Sequence, residues 1–244
     1  MGRMARAGER PLSAVPRSTR WFLASTLGLQ LTIHAFGASP SGGSSEIDPL
    51  PLAPSAGWLR VMALGNAGLA SKLAMLWLQG YDDQPGVSVP FRRLSYDAVV
   101  SWLDVILELD PETRYPLLSA IRIYGQVNDP GRVRTMLEFV YEQFLLAPNR
   151  RWRWLAEASI VAKYRLHDSR LALRYAPALT EHATAPGVPF WARDLSVILL
   201  SDMGEYEAAR GLIAALLRSG SITDPHEVEF LEKKLQEMDP TQGF

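Results

Sequence analysis

From residue 58 onward, apolar residues recur at helical spacing in nearly every segment, and prolines separate the segments at a near-constant interval. Pro111, Pro148 and Pro186 each end an apolar segment, and the two intervals between them are almost equal. Both intervals fall within the range of roughly 20–50 residues that indicates stacked repeats, in which one hairpin alone is too small to bury its own apolar face. The sequence therefore predicts an all-α protein, an α-solenoid of stacked antiparallel helical hairpins.

Four stretches share one pattern and mark the second helix of each predicted hairpin. They read DAVVSWLDVILELDP, RVRTMLEFVYEQFLLAP, RLALRYAPALTEHATAP and EAARGLIAALLRSGSIT. No segment alternates convincingly as a strand would, and Val87 to Val89 is too short to count. The predicted helices are nine, at 59–78, 96–109, 116–127, 132–146, 152–166, 169–182, 190–202, 206–218 and 225–238.

These units resemble tetratricopeptide repeats. The segment DMGEYEAA at 202–209 is similar to the inter-helix turn of that family and the start of its second helix. There the small Ala209 lets two helices approach, and Ile213 fills a large apolar position. Other positions that match the family in spacing or in residue type are Tyr96, Leu103, Pro111 and the pair Leu64-Gly65.

The resemblance covers residues 58–223 and implies a curved helical surface that binds proteins, with no catalysis. The interval between the prolines is slightly longer than the family's period of about 34 residues. The first hairpin also carries an insertion, QGYDDQPGVSVPFRRL, at 79–94. A loop of this length in a compact domain is often functional, so the insertion is a candidate specificity element.

The segment that precedes residue 58 has the layout of a targeting signal followed by a linker. Residues 1–20 contain five arginines and one acid, residues 21–38 are mainly apolar, and residues 39–57 are rich in Pro, Ser and Gly. In a secretory signal the basic flank stays on the cytoplasmic side while the apolar part enters the bilayer. The sequence thus predicts a signal or anchor, then a linker, then a helical repeat domain at 58–240.

Cleavage and retention of the apolar stretch both stay open. Gln30 and His34 interrupt the stretch, and a spanning helix needs about 20 apolar residues. Ala35-Phe36-Gly37 resembles a cleavage signal. A retained anchor, a buried helix and an organellar transit peptide are the alternatives. In a bacterium the two leading readings make the protein periplasmic or anchored at the extracytoplasmic face of the inner membrane.

Composition excludes several classes of function. The formal net charge is -1, so the basic excess that is usual in nucleic-acid binders is missing. The chain has no cysteine, which removes disulfides, thiolate metal sites and cysteine nucleophiles. Neither a nucleic-acid partner nor a cofactor is expected.

Two groups of residues are candidates for binding a partner. The first is the run Arg150, Arg151, Trp152, Arg153 and Trp154, which could grip an acidic peptide, a lipid surface or phosphates with Arg over aromatic faces. The alternative is that its tryptophans pack between hairpins while its arginines pair with acids. The second group lies in the insertion and consists of Tyr81, Asp82, Asp83, Arg92 and Arg93.

No residue pattern predicts catalysis or metal binding. The four histidines lack metal-ligand spacing, and no phosphate-binding or nucleophile motif occurs. Asp104, Glu108 and Asp110 share a helical stretch, but an acid–base pair needs a partner from elsewhere in the chain. Asp224-Pro225 predicts a helix cap with proline in the first helical position.

The leading expectation is a non-enzymatic protein-binding scaffold or assembly factor at a membrane. An envelope hydrolase on a helical scaffold and a structural subunit of a membrane complex are the alternatives. The hydrolase would need two carboxylates facing each other across a cleft. The subunit would be favoured by exposed apolar residues on the last helix, namely Phe230, Leu231 and Leu235.

Overall fold

A computed structural model divides the chain into two compact units, Met1–Glu46 and Ile47–Phe244. It describes residues 16–37, 50–81, 83–84, 87–88, 91–220, 222 and 224–238, and side-chain positions are described for fewer of these. Most of the predicted basic region (1–15), most of the predicted linker (39–49) and Asp82 lie outside the described residues.

The described part of the first unit is one helix, α1 (Arg17–Gly37), which contains nearly all of the apolar stretch predicted as signal or anchor. Its side chains are exposed from Arg17 through Leu31. Among the described residues, no single helix is long and apolar enough to cross a membrane. In the second unit, one bent pair of helices, α2 (Ala56–Met62) and α3 (Ala67–Gly80), is long and apolar enough only when the two helices are counted together.

The second unit is all-α, as predicted. Its core is mainly one continuous cluster that runs from Leu50 to Leu199, with a smaller cluster built from α10, α11 and α12. Its helices are α2 (Ala56–Met62), α3 (Ala67–Gly80), α4 (Tyr96–Leu109), α5 (Tyr115–Arg122), α6 (Pro130–Leu146), α7 (Pro148–Tyr164), α8 (Ser169–His182), α9 (Phe190–Arg193), α10 (Leu195–Asp202), α11 (Tyr206–Ser219) and α12 (Pro225–Glu237).

The predicted helix 59–78 is wrong, because the chain breaks at Leu64-Gly65 into α2 and α3, whose axes differ by 101°. Both residues have positive φ, 55° at Leu64 and 84° at Gly65. The Gly65 amide donates to the Arg60 carbonyl, as expected where a left-handed glycine closes a helix. Asn66 then caps α3, since its side chain accepts from the Leu69 amide. The pair that resembled part of a first helix is therefore a helix stop.

Three other predicted segments also differ from the structure. Segment 190–202 is two helices separated at Asp194, and segment 116–127 is α5 followed by a 3₁₀ turn at Tyr124–Gln126. The insertion contains a 3₁₀ turn at Phe91–Arg93 and a two-residue antiparallel pair that joins Asp83–Gln84 to Val87–Ser88. The described part of the second unit thus has eleven helices instead of nine.

The four similar sequence stretches form α4, α6, α8 and α11. Pro111 follows α4, Pro148 is the first residue of α7 directly after α6, and Pro186 follows α8. Ala209 and Ile213 are both fully buried, as expected from the resemblance.

Phe230, Leu231 and Leu235 of α12 pack into the smaller core cluster of their own chain. They therefore do not form the exposed apolar patch that would favour a structural subunit.

Several side-chain bonds between elements join residues that are 34 to 36 positions apart in the chain. Arg134 pairs with Asp168 across 34 residues at 2.5 Å, and Arg122 pairs with Glu157 across 35 residues at 2.8 Å. Arg174 pairs with Glu138 across 36 residues. Most of the helix–helix packing likewise joins helices that are next to each other or two apart along the chain. Each hairpin-sized segment is therefore held chiefly by its neighbours.

Gly125 is expected to tolerate no side chain. A Cβ atom there would lie 2.8 Å from the Ala120 carbonyl oxygen, which is backbone and cannot move aside cheaply. We expect Gly125→Ala to lower the free energy of unfolding by about 1–3 kcal/mol. Gly57 in α2 is the matched control, because nothing lies within 4 Å of its Cβ position. Gly57→Ala should raise the free energy by about 0.5–1 kcal/mol. Urea denaturation of both variants measures the difference, and a loss at both positions would contradict the prediction.

Candidate partner-binding cleft

The RRWRW run forms the first turns of α7 and lines a cleft of about 250 Å³ with the connection between α4 and α5. Pro111, Glu112, Thr113 and Arg114 form the other side of this cleft. The two sides meet because Pro148 starts α7 immediately after α6, which brings the run back toward the end of α4. We call this surface the arginine cleft.

Arg151 is a structural residue within the arginine cleft. It is 6% exposed, and its Nη1 donates to both the carbonyl and the Oε1 of Gln143, each at 2.7 Å. The Nε2 of Gln143 in turn donates to Oδ1 of Asp104 at 2.7 Å. This relay ties α7 to α6 and α4, so Asp104 serves as an acceptor inside the fold.

The electrostatics of Arg151 agree with this structural role. Burial lowers its pKa from the ordinary range, and the neighbouring cation Arg150 lowers the pKa further. The carboxylate of Asp104 acts in the opposite direction and favours the charged guanidinium. Arg151 therefore uses its hydrogen-bond donors for contacts within the protein.

Both tryptophans of the run also take part in packing. Trp154 is buried in the main core. Trp152 meets Trp191 of α9 edge to face, with ring centroids 5.6 Å apart. The Arg153 guanidinium lies over the Trp152 ring at 5.6 Å from its centroid. Both rings are therefore explained by the alternative interpretation, in which the tryptophans of the run pack between helices.

Arg114, Arg150 and Arg153 are the exposed cations of the arginine cleft, and Glu112 is its one acid among the lining residues. Arg150 pairs with Glu112, and both side chains are so exposed that this pair contributes little stability. The first turn of α7 has no acidic residue, so within the cleft no carboxylate of this helix opposes its arginines. Among the described lining residues, cations thus exceed acids, and the cleft suits an anionic ligand.

Comparison of the chain with protein-family models, with curated proteins and with solved structures found no match.

Gln79, at the start of the insertion, donates to the Tyr115 hydroxyl at 2.6 Å beside the arginine cleft, whereas the end of the insertion at Phe91–Leu94 lies far from the cleft. Phe91 packs edge to face on Tyr124, and Arg132 at the start of α6 donates to the Phe91 and Leu94 carbonyls. The arginine cleft follows the other end of α6, which has 17 residues and is therefore about 25 Å long. The structure does not bring the two predicted groups together.

Within the insertion, Tyr81 is half-buried and its ring is tilted against Trp77 at 5.3 Å between centroids. Arg93 is exposed. Asp82 lies outside the described residues, and only the backbones of Asp83 and Arg92 are described. Among the described residues, no group of three His, Asp or Glu side chains could hold a metal ion.

Sequence reasoning missed one apolar surface, which we call the α2–α3 face. It consists of eight exposed apolar side chains, namely Trp58, Val61, Met62, Leu64, Leu69, Leu73, Leu76 and Trp77. Predicting a single continuous helix over 59–78 hid this surface. A signal was nevertheless present, because residues 50–81 contain no Asp or Glu at all.

Sequence reasoning also missed Asp194, at the break between α9 and α10. Its side chain is 2% exposed, and its Oδ2 atom has no hydrogen-bond partner among the residues that the structure describes. Burial raises its pKa from 3.8 to about 7, Glu227 nearby adds to the rise, and Arg193 opposes it. Arg193 instead pairs with Glu227 at 2.5 Å. No local pattern marks this carboxyl, because its pKa is raised by burial and by Glu227, which lies on α12.

Proposed function

We propose that the protein is a non-enzymatic scaffold that binds an acidic segment of a partner protein at a membrane. The observation that supports this best is the cation excess of the arginine cleft. Arg114 and Arg153 are exposed there, and neither is used by the fold as Arg151 is. A carboxylate-rich peptide would gain charge-assisted hydrogen bonds from both guanidinium groups.

The scaffold is a solenoid of hairpins that resemble tetratricopeptide repeats. The side-chain pairs at separations of 34 to 36 residues support this, because stacked repeats contact each other at one repeat length. The turn at Gly204 supports it as well, since this glycine has φ of 76° between α10 and α11 where the family resemblance places the inter-helix turn. Such solenoids present extended surfaces that bind proteins.

The membrane location is proposed from the N-terminal layout. Basic residues precede the apolar part of α1, as in a signal or an anchor. In a bacterium the helical domain would lie in the periplasm or at the extracytoplasmic face of the inner membrane. No cofactor is required by this proposal.

The test is binding of a fluorescein-labelled peptide with a run of glutamates to the full-length protein, followed by anisotropy. We expect the double variant Arg114→Glu/Arg153→Glu to bind at least tenfold more weakly, because two attractive contacts become repulsive. Binding to the wild type should also weaken as salt is raised.

A control separates the cleft from the overall charge. Arg170 in α8 and Arg218 in α11 are exposed and do not line the arginine cleft. The double variant Arg170→Glu/Arg218→Glu changes the net charge by the same amount and should bind the peptide as the wild type does. Equal losses in the two double variants would contradict a specific cleft.

A further inference from the structure

The α2–α3 face is a continuous apolar surface that the fold leaves uncovered. In α3, Leu69, Leu73, Leu76 and Trp77 recur at the spacing of one helical stripe. Leu64, at the bend, is 96% exposed. Side chains from both helices, including Trp58 and Met62, line a shared groove of about 370 Å³. An exposed apolar surface of this extent marks an interaction site.

The charges on the two helices of this face have a single sign. Residues 50–81 contain two formal charges, the exposed cations Arg60 and Lys72, and no acid. An apolar surface whose own helices carry only cations is complementary to lipid whose headgroups are anionic. It is not complementary to a second copy of itself, because a two-fold contact would bring like charges together.

The geometry allows the face to lie in a membrane interface. α2 has 7 residues and α3 has 14, and the 101° bend prevents them from acting as one straight helix. The opposite side of α3 is held by the fold, where Ser71 donates to the Ile106 carbonyl at 3.2 Å. Trp77 belongs to the outward stripe, where its ring stacks on Trp102 at 4.3 Å between centroids and still keeps 43% of its surface exposed. Only the outward stripe is therefore free to enter lipid.

We infer that the α2–α3 face inserts shallowly into an anionic bilayer, with Trp58 and Trp77 at headgroup level and Arg60 and Lys72 against the phosphates. Tryptophan prefers that level because its ring is amphipathic. The inference rests on the proposed membrane location and adds a second point of contact, distinct from α1. Two contacts together hold a protein at a membrane more firmly than either alone.

The test uses the absence of cysteine from the chain, which allows one label to be attached at one chosen position. Leu64→Cys in the full-length protein is labelled with an environment-sensitive nitrobenzoxadiazole dye. Vesicles of phosphatidylcholine with phosphatidylglycerol are then added. We expect the emission to shift to the blue and to gain intensity. The same dye on Glu205→Cys, an exposed position in the α10–α11 turn, should not respond.

Reversing the charges of Arg60 and Lys72 shows whether these two cations contribute to vesicle binding. Arg60→Glu/Lys72→Glu should weaken the vesicle response of the Leu64 label at least tenfold, whereas Arg170→Glu/Arg218→Glu should leave it unchanged. An equal response to vesicles of phosphatidylcholine alone would overturn the role assigned to the two cations. A shift that needs no vesicles and grows with protein concentration would identify a second copy as the occupant and overturn the inference.

The outcomes also separate this inference from the proposed function. If the protein sediments with vesicles while the Leu64 label stays in water, the α2–α3 face is not a lipid contact, and the membrane location stands through α1. Loss of acidic-peptide binding in the cleft variants is measured independently of vesicles, so the scaffold proposal is tested on its own.

Discussion

Asp194→Asn is expected to stabilise the protein at neutral and alkaline pH by about 2–4 kcal/mol, one of the largest effects of any single change considered. The wild-type carboxyl is buried, and burial raises its pKa from 3.8 to about 7. Asparagine has nearly the same shape and never carries a charge. The substitution therefore removes the cost of a buried carboxylate without opening a cavity.

The sign of the pH dependence follows from the two protonation states. Between about pH 4 and pH 7, folded Asp194 holds its proton while the unfolded chain has released it. Because the folded state binds more protons in this range, the wild type loses stability as the pH rises. The advantage of Asp194→Asn should accordingly be absent near pH 4, grow up to pH 7 and stay constant above it.

Urea denaturation at pH 4, 5.5, 7 and 8 measures this difference. Asp202→Asn is a control of opposite sign, because a hydrogen bond from Tyr164 and the cation Lys163 lower the pKa of Asp202. That variant should be slightly less stable than the wild type at pH 7, and the loss should disappear as the pH falls below the ordinary range of a carboxyl. An Asp194→Asn advantage that does not change with pH would contradict burial as its cause.

Arg151→Ala is expected to lower the free energy of unfolding by about 3 kcal/mol. The change leaves the buried carbonyl and Oε1 of Gln143 without their donor and removes the packed aliphatic stem of the arginine. Asp104 then keeps its contact with Gln143, but Gln143 is no longer held from the α7 side.

Arg153→Ala is the matched control, since Arg153 is an exposed member of the same run. It should change the free energy of unfolding by no more than about 0.5–1 kcal/mol, which is the contribution of an exposed contact with the Trp152 ring. Urea midpoints at pH 7 compare the two. If Arg153→Ala cost as much as Arg151→Ala, the assignment of one arginine to the fold and the other to the surface would be wrong.

Local patterns explain which parts of the fold were predictable. The helices α4, α6, α8 and α11 follow from apolar periodicity, and they all lie where the four similar stretches predicted. The break at Leu64-Gly65 was also readable in principle, because glycine followed by asparagine combines a helix stop with a helix cap. Weighting apolar periodicity above these two residues produced the wrong helix.

The roles of individual site residues could not be predicted from local sequence patterns. Arg151 and Arg153 are two positions apart and chemically identical, yet one is buried on Gln143 and the other is exposed. Asp194 is likewise ordinary in sequence, and its pKa is set by burial and by Glu227, which lies on another helix. Such differences depend on which side chains other helices place against a residue, and local patterns in the sequence do not record that.

Ion pairs such as Arg134 with Asp168 and Arg174 with Glu138 join residues 34 and 36 positions apart, and this spacing bears on how the domain would respond to force. Each of these pairs joins neighbouring segments, and none of them ties one end of the array to the other. A pull between the membrane and a bound partner would load these contacts in series. The domain would then lengthen one segment at a time, and under the proposed function this extension would absorb movement between the membrane and the partner.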